Sequence, residues 1–159
     1  FLDAVAQALA ALDAMRLAEG AHIARDFEKR LARLEQQRAQ VKELAPQIVA
    51  DYRAHLAEVL AEFKEVTPDE TRLVQEAALY ADRVNITEEL VRLASHFAQF
   101  RAILAEEEPV GRRLDFLLQE INRETNTIGS KVSNATAQQI VVAMKNEVEK
   151  LREQVQNLE

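Results

Sequence analysis

The 159 residues include 20 Lys plus Arg against 27 Asp plus Glu, for a net charge of −7, with no Cys, no Trp and only three Gly and three Pro. A chain of this length can bury a core without a disulfide or a metal, and the absence of cysteine excludes disulfide scaffolds, zinc fingers, iron–sulfur sites and thiol catalysis. The acidic balance opposes non-specific attraction to nucleic acid or to an anionic membrane, so any RNA site must be local.

The opening FLDAVAQALAALDAMRLAEG carries Asp3, Asp13 and Arg16 where a signal peptide or membrane anchor would be apolar. A soluble, cytoplasmic chain is expected. The first residue is Phe1 and not Met, which is expected of a piece of a longer parent. Abundant Ala, Leu, Glu, Gln and Arg, with no sustained two-residue alternation, predict an all-α fold: long helices packed as an elongated hairpin or bundle.

From Phe1 to about Leu44, Leu2, Val5, Leu9, Leu12 and then Ile23, Phe27, Leu31, Leu34 and Val41 recur at helical steps, with Gly20 a candidate break. Pro46 should kink or restart the helix, after which Ile48, Tyr52, Leu56, Val59, Leu60 and Phe63 continue the stripe. Thr67-Pro68-Asp69-Glu70 reads as a capping box opening a new helix, so residues 1–66 form a long helical arm and 67–159 a second region. That helix carries Leu73, Val74, Ala77 and Tyr80, then continues or is capped again at Asn85. The next runs to about Glu107. Glu108-Pro109-Val110-Gly111 turns into a helix from Arg112 to Ile128 that Gly129 should end. The last helix shows Val141, Met144, Val148, Leu151, Val155 and Leu158 at four- and three-residue spacing, a heptad pattern that needs an apolar partner, more often from the same chain than from a second subunit.

Two polar rows depart from plain surface. Ile86, Leu90, Leu93, Phe97, Phe100 and Leu104 make one apolar face, and along its border lie Asn85, Glu89, Arg92 and His96. Such a row reads either as a helix salt-bridge network or as a metal or acid–base site using Glu89 and His96, whose oxygen and imidazole donors suit Mn²⁺, Mg²⁺ or Zn²⁺. Those two residues are two turns apart, so a shared ion needs ligands from another segment. On the following helix Leu114, Leu117, Leu118, Ile121, Thr125 and Ile128 face one way and Asp115, Gln119, Asn122 and Asn126 another, with Glu120, Glu124, Arg113 and Lys131 completing the exposed half. Asn disfavours helix interiors, so these amides are expected to have assigned hydrogen-bond partners. From Arg92 to Lys131, six basic residues (Arg92, Arg101, Arg112, Arg113, Arg123, Lys131) match six acidic ones (Glu106, Glu107, Glu108, Asp115, Glu120, Glu124), a neutral stretch in an acidic chain. Carboxylates for a cation and guanidiniums for phosphate are what a metal-dependent phosphodiesterase needs, although a solvated mixed-charge face gives the same count.

The stretch from Val110 to Lys131, VGRRLDFLLQEINRETNTIGSK, resembles the GRRLDF…QE.NRE.NT..SK signature of the YicC/YloC family of bacterial proteins. ITEELVRLASHFAQF (Ile86 to Phe100) is similar to that family's EEL.RL.SH block, and EKLREQVQNLE (Glu149 to Glu159) to its C-terminal ending. The resemblance implies a metal-dependent endoribonuclease favouring Mn²⁺, assembled as a ring-like homo-hexamer that encloses RNA, with an N-terminal domain preceding the helical region. It nominates Glu88, Glu89, His96, Asp115, Glu120 and Glu124 as metal-associated, with His96, Glu89, Asp115 and Glu120 catalytic. Arg92, Arg112, Arg113, Arg123, Asn126 and Lys131 become RNA contacts. The family usually has Asp where this chain has Asn85; a cap role tolerates that change, whereas a metal-ligand role would not. The competing reading is a non-catalytic helical oligomerisation or RNA-binding module. No DNA-recognition helix or membrane-surface helix is recognisable.

Overall fold

The structure, a computed structural model, describes residues 2–62, 69–106, 108–156 and 158. It contains five helices and, among the described residues, no strand: α1 (Leu2–Glu62), α2 (Glu70–Arg83), α3 (Thr87–Leu104), α4 (Gly111–Lys131) and α5 (Ala135–Val155). The all-α expectation holds. None of these helices is long and apolar enough to cross a membrane.

Four helices share one core. Phe27, Leu31, Leu34, Val41 and Ile48 of α1 pack with Leu90, Leu93, Phe97 and Phe100 of α3, with Leu114, Leu118 and Ile121 of α4, and with Val141, Met144, Val148 and Leu151 of α5. The ring of neighbours is α1–α3–α4–α5 and back to α1. Each adjacent pair is antiparallel, as paired contacts require: Arg38 to Leu90 with Arg101 to Glu28, Arg92 to Glu124 with Lys131 to Glu89, Asp115 to Arg152 with Gly129 to Val141, and Arg30 to Glu147 with Asp26 to Gln154. The heptad stripe of α5 is therefore covered from within the chain, by α4 and α1. Phe27 meets Phe100 edge to face, with ring centroids 5.6 Å apart, the arrangement the ring quadrupoles favour.

The helix boundaries correct several expectations. α1 runs unbroken through both Gly20 and Pro46. A Cβ on Gly20 would meet nothing within 4 Å, so this glycine is neither a stop nor a close-packing point. Pro46 removes one backbone donor, but its ring holds φ near the helical value, and Val41 and Ile48 on either side are buried in the core. Thr67 and Pro68 of the expected capping box lie outside the described residues; α2 begins at Glu70 with Asp69 as its cap, accepting from Thr71 N–H at 3.0 Å. α3 ends at Leu104, short of Glu107. α4 starts at Gly111 and continues past Gly129 to Lys131. Gly129 is instead a contact point, since a Cβ there would lie 3.0 Å from Val141 Cγ1 on α5.

The apolar residues at the start of α1, Leu2, Val5, Leu9, Leu12, Met15 and Leu17, are exposed. α2 lies against the later part of α1, where Tyr52 and Tyr80 stack with centroids 3.7 Å apart, and Tyr80 also shares a hydrogen bond with Ser133 Oγ at 2.9 Å.

Because Phe97 is fully buried, Phe97→Ala should cost about 3–5 kcal/mol in urea unfolding. Val74, half exposed on α2, serves as the control, and Val74→Ala should stay within about 0.5 kcal/mol.

Candidate metal and phosphate site

The site is built on the seam between α3 and α4. An Asx turn precedes α3: Asn85 Oδ1 accepts from Thr87 N–H at 3.0 Å, one residue before the N-cap Ile86, which has no side-chain cap bond. From that start the apolar face Ile86, Leu90, Leu93, Phe97 and Phe100 is buried, with Leu104 partly so. The border row Glu89, Arg92 and His96 is thereby laid along α4, whose buried face is Leu114, Leu117, Leu118, Ile121, Thr125 and Ile128 as the periodicity predicts. Thr125 satisfies its hydroxyl by donating to Ile121 O at 2.7 Å.

The structure divides the border row into two parts. The first is an ion-pair network. Lys131 Nζ donates to Glu89 Oε1 at 2.9 Å and to the Asn85 carbonyl at 2.9 Å. Arg92 lies 2.9 Å from Glu124 Oε1 through Nε and 3.6 Å from Glu89, and it also bonds Glu88. Burial alone would push the Glu89 carboxyl up. The hydrogen bonds from Lys131 and its own backbone N–H, with the charges of Lys131 and Arg92, outweigh that and hold its pKa below the ordinary value. The Arg92 guanidinium is held charged chiefly by Glu124.

The second part is His96 with Glu120 and Glu124. One donor atom from each of the three lies within 4.8 Å of the others. Both His96 ring nitrogens are buried and have no hydrogen-bond partner among the described residues. An unpaired buried nitrogen costs about 1–3 kcal/mol, so a bound group that engages it would recover energy the chain alone leaves unspent. Nitrogen plus two carboxylates is a donor set that suits Mn²⁺ or another first-row divalent cation, and the residues present therefore fit the cation the sequence resemblance implies. Glu124 corrects the helical-wheel expectation of an exposed residue: it is 6% exposed. It lies at the edge of the stripe, four residues before Ile128, and Arg92 on α3 pairs with it there.

The other nominated residues lie around these two groups. Glu88 is exposed and tied to Arg92. Asp115 stands apart from the trio, accepting from Gln119 at 2.9 Å and facing Arg152 of α5 at 3.6 Å. Arg113 is held by Glu106. Arg123 is exposed, with its nearest approach to Glu120 at 3.9 Å. Arg112 is exposed with no ion-pair partner among the described residues. Asn126 is exposed, and neither it nor Asn122 has a side-chain hydrogen bond among the described residues, contrary to the expectation for the amide row, of which Gln119 alone is so bonded.

Sequence reasoning missed Phe116. It is 64% exposed and lines an open cavity of about 340 Å³ together with His96, Gln99, Arg112 and Glu120. Its signal was available, because Phe116 falls off the Leu114, Leu117, Leu118, Ile121 stripe. Also missed was buried Glu147 on α5, which receives Arg30 at 3.0 Å and Lys150 at 3.3 Å.

A family described as "Endoribonuclease YicC-like, C-terminal" matches residues 41–159. The chain is 43% identical over 159 residues to "Probable endoribonuclease YicC" of Clostridioides difficile, covering 99% of this chain and 54% of that protein. It is 37% identical over 166 aligned residues to the protein of the same name from Haemophilus influenzae, covering 99% of this chain and 58% of the relative. The chain thus spans little more than half the length of these curated relatives.

The depressed pKa of Glu89 ties its pairing to pH. Its contribution to stability is complete above the ordinary carboxylate value of 4.5 and is lost as pH falls through the lower folded value. Lys131→Met should therefore be destabilised relative to wild type at neutral pH, and the gap should narrow on acidification below about 4.5. Urea midpoints measured at several pH values check this.

Proposed function

Because the chain belongs to the YicC-like family, we propose that its α3–α4 seam is the centre of a divalent-cation-dependent endoribonuclease site, with His96, Glu120 and Glu124 as the ligands. The observation that carries this reading is the pair of unpartnered, buried His96 nitrogens facing two carboxylates of a neighbouring helix.

A cation held there, Mn²⁺ by the family resemblance and Mg²⁺ as a substitute, supplies positive charge to polarise the scissile phosphate and to lower the pKa of water. Glu120 and Glu124 provide the negative charge that holds it. His96 would complete the donor set with one ring nitrogen. Glu120, the more exposed of the two carboxylates with its side chain 32% exposed, would be placed to take a proton from the nucleophile, water or the ribose 2′-hydroxyl, with the leaving oxygen protonated from solvent. Arg92, Glu89 and Lys131 are positioning residues: Arg92 fixes Glu124, and Lys131 fixes Glu89 beside it. Arg112, Arg123 and Asn126, exposed on α4, contact the RNA backbone. This arrangement draws the expected centre away from Asp115 and Glu89 and toward Glu124.

The protein acts in the cytoplasm as a homo-oligomer, a hexamer by the family resemblance. The exposed apolar stripe Leu2, Val5, Leu9 and Leu12 supports assembly with further copies of the chain. The double variant Leu9→Asp/Leu12→Asp should lower the mass measured by light scattering, and an unchanged mass would remove this arm from the interface.

Labelled RNA incubated with the protein and Mn²⁺ tests the catalytic reading. His96→Ala, Glu120→Gln and Glu124→Gln should each slow cleavage by about 10²–10⁴-fold and weaken Mn²⁺ binding in calorimetry, while circular dichroism stays unchanged. Normal cleavage by a folded His96→Ala variant, or full activity under exhaustive chelation, contradicts it. RNA binding without cleavage under every metal condition would favour the non-catalytic RNA-binding module.

A further inference from the structure

Four residues of α4 lie four apart along one slowly turning row: Arg112, Phe116, Glu120 and Glu124. Each step is about 6 Å along the helix axis. The row therefore presents, in order, a guanidinium, an exposed aromatic ring and the two carboxylates of the candidate cation site. Across from it α3 contributes His96 and Gln99 to the same open cavity of about 340 Å³, within the size range of small-ligand clefts, about 300–1,000 Å³.

Phe116 has no structural role in the bundle that would account for its position. The buried face of α4 is complete without it, and every other described phenylalanine, Phe27, Phe97 and Phe100, is fully buried. Leaving a phenyl ring 64% exposed forgoes much of the roughly 1.5–3 kcal/mol that its burial would contribute. The cavity beside it has an apolar floor, Ile103 and Leu117, and a rim that carries a guanidinium, an amide, an imidazole and a carboxylate, from Arg112, Gln99, His96 and Glu120. A flat apolar ring beside a guanidinium with no carboxylate partner among the described residues is the chemistry that takes an unpaired nucleobase on the ring and its phosphate on the guanidinium.

We infer that Phe116 is the stacking platform for an unpaired nucleotide next to the scissile phosphate, with Arg112 binding that nucleotide's phosphate, so that this pair selects single-stranded RNA over duplex. A base in a duplex is already stacked on its neighbours and cannot reach the ring. The inference rests on the reading of the α3–α4 seam as the cleavage site, but stacking itself does not require the cation, which separates the two in a test.

The experiment uses a short single-stranded RNA carrying 5-iodouridine, in buffer containing EDTA so that no cleavage occurs. Fluorescence anisotropy should show Phe116→Ala binding about 5- to 100-fold more weakly than wild type, with Phe116→Trp restoring affinity and a blunt duplex of the same sequence bound weakly by all three proteins. Photocrosslinks of the wild-type protein should map to Phe116 by mass spectrometry. In Mn²⁺, Phe116→Ala should raise KM more than it lowers kcat, the mark of lost substrate binding. Unchanged affinity of Phe116→Ala, or crosslinks that map elsewhere, overturns the inference even if the His96 and Glu120 variants lose cleavage as expected. A Phe116→Ala protein that alters oligomeric mass and leaves RNA affinity unchanged also overturns it, by assigning the ring to a subunit interface.

Discussion

The antiparallel register of α3 on α4 is the constraint on which the candidate site depends. Leu90, Leu93, Phe97 and Phe100 lock one face of α3 into the core, and Leu117, Leu118 and Ile121 do the same for α4. Once those faces are buried, the residues at their borders have no choice of neighbour. Lys131 meets Glu89, Arg92 meets Glu124, and His96 meets Glu120 and Glu124, in steps that run in opposite directions along the two helices. A one-residue slip would turn His96 through about 100° and dissolve the cluster, so apolar packing sets the geometry of the polar site. The ion pairs at Glu89 help to fix that register, because Lys131 binds both its carboxylate and the Asn85 carbonyl at the start of α3.

The other two helices hold this seam from behind. Arg101 on α3 bonds Glu28 and Glu35 of α1 at 2.6–3.1 Å, and the hydrogen bonding to Glu35 is the chief cause that raises its pKa. On the far side α5 brings Arg152 to Asp115 and buries Glu147 under Arg30 of α1. Asp115 is thus engaged in joining α4 to α5, while Glu120 and Glu124 point to the opposite border. The glycines contribute at two close approaches: Gly129 to Val141, and Gly111 to the carbonyl of Leu158, each 3.0 Å from where a Cβ would stand. A side chain at Gly129 would push α4 away from α5, and one at Gly111 would push the start of α4 away from the backbone at Leu158.

Much of this was legible in the sequence because helical periodicity is a local property. The apolar stripes of α3, α4 and α5 are set by residues three and four apart. So is the border row of Glu89, Arg92 and His96. What local spacing could not supply was the angle at which one helix meets the next. Glu124 falls at the edge of the apolar stripe, three residues from Ile121 and four from Ile128, and Arg92 arriving from α3 covers it there. Which carboxylates would join His96 is likewise set by the neighbouring helix, since Glu89 lies two turns away along α3 and Glu120 and Glu124 come from α4. Gly20, Pro46 and Gly129 each permit a helix end, but α1 and α4 pass through them: helix-favouring Ala, Leu and Glu flank the exposed Gly20, and buried residues flank Pro46 and Gly129. Phe116 went unread although its departure from the stripe was visible, since an exposed aromatic gains meaning only from the His96 and Glu120 beside it.

The most direct measurement is anomalous diffraction from crystals of the protein soaked in Mn²⁺. A peak between His96, Glu120 and Glu124, at ligand distances to all three, is the predicted result. A peak at Asp115 or on the outer face of Glu88, with the His96 nitrogens still unpaired, would contradict the account.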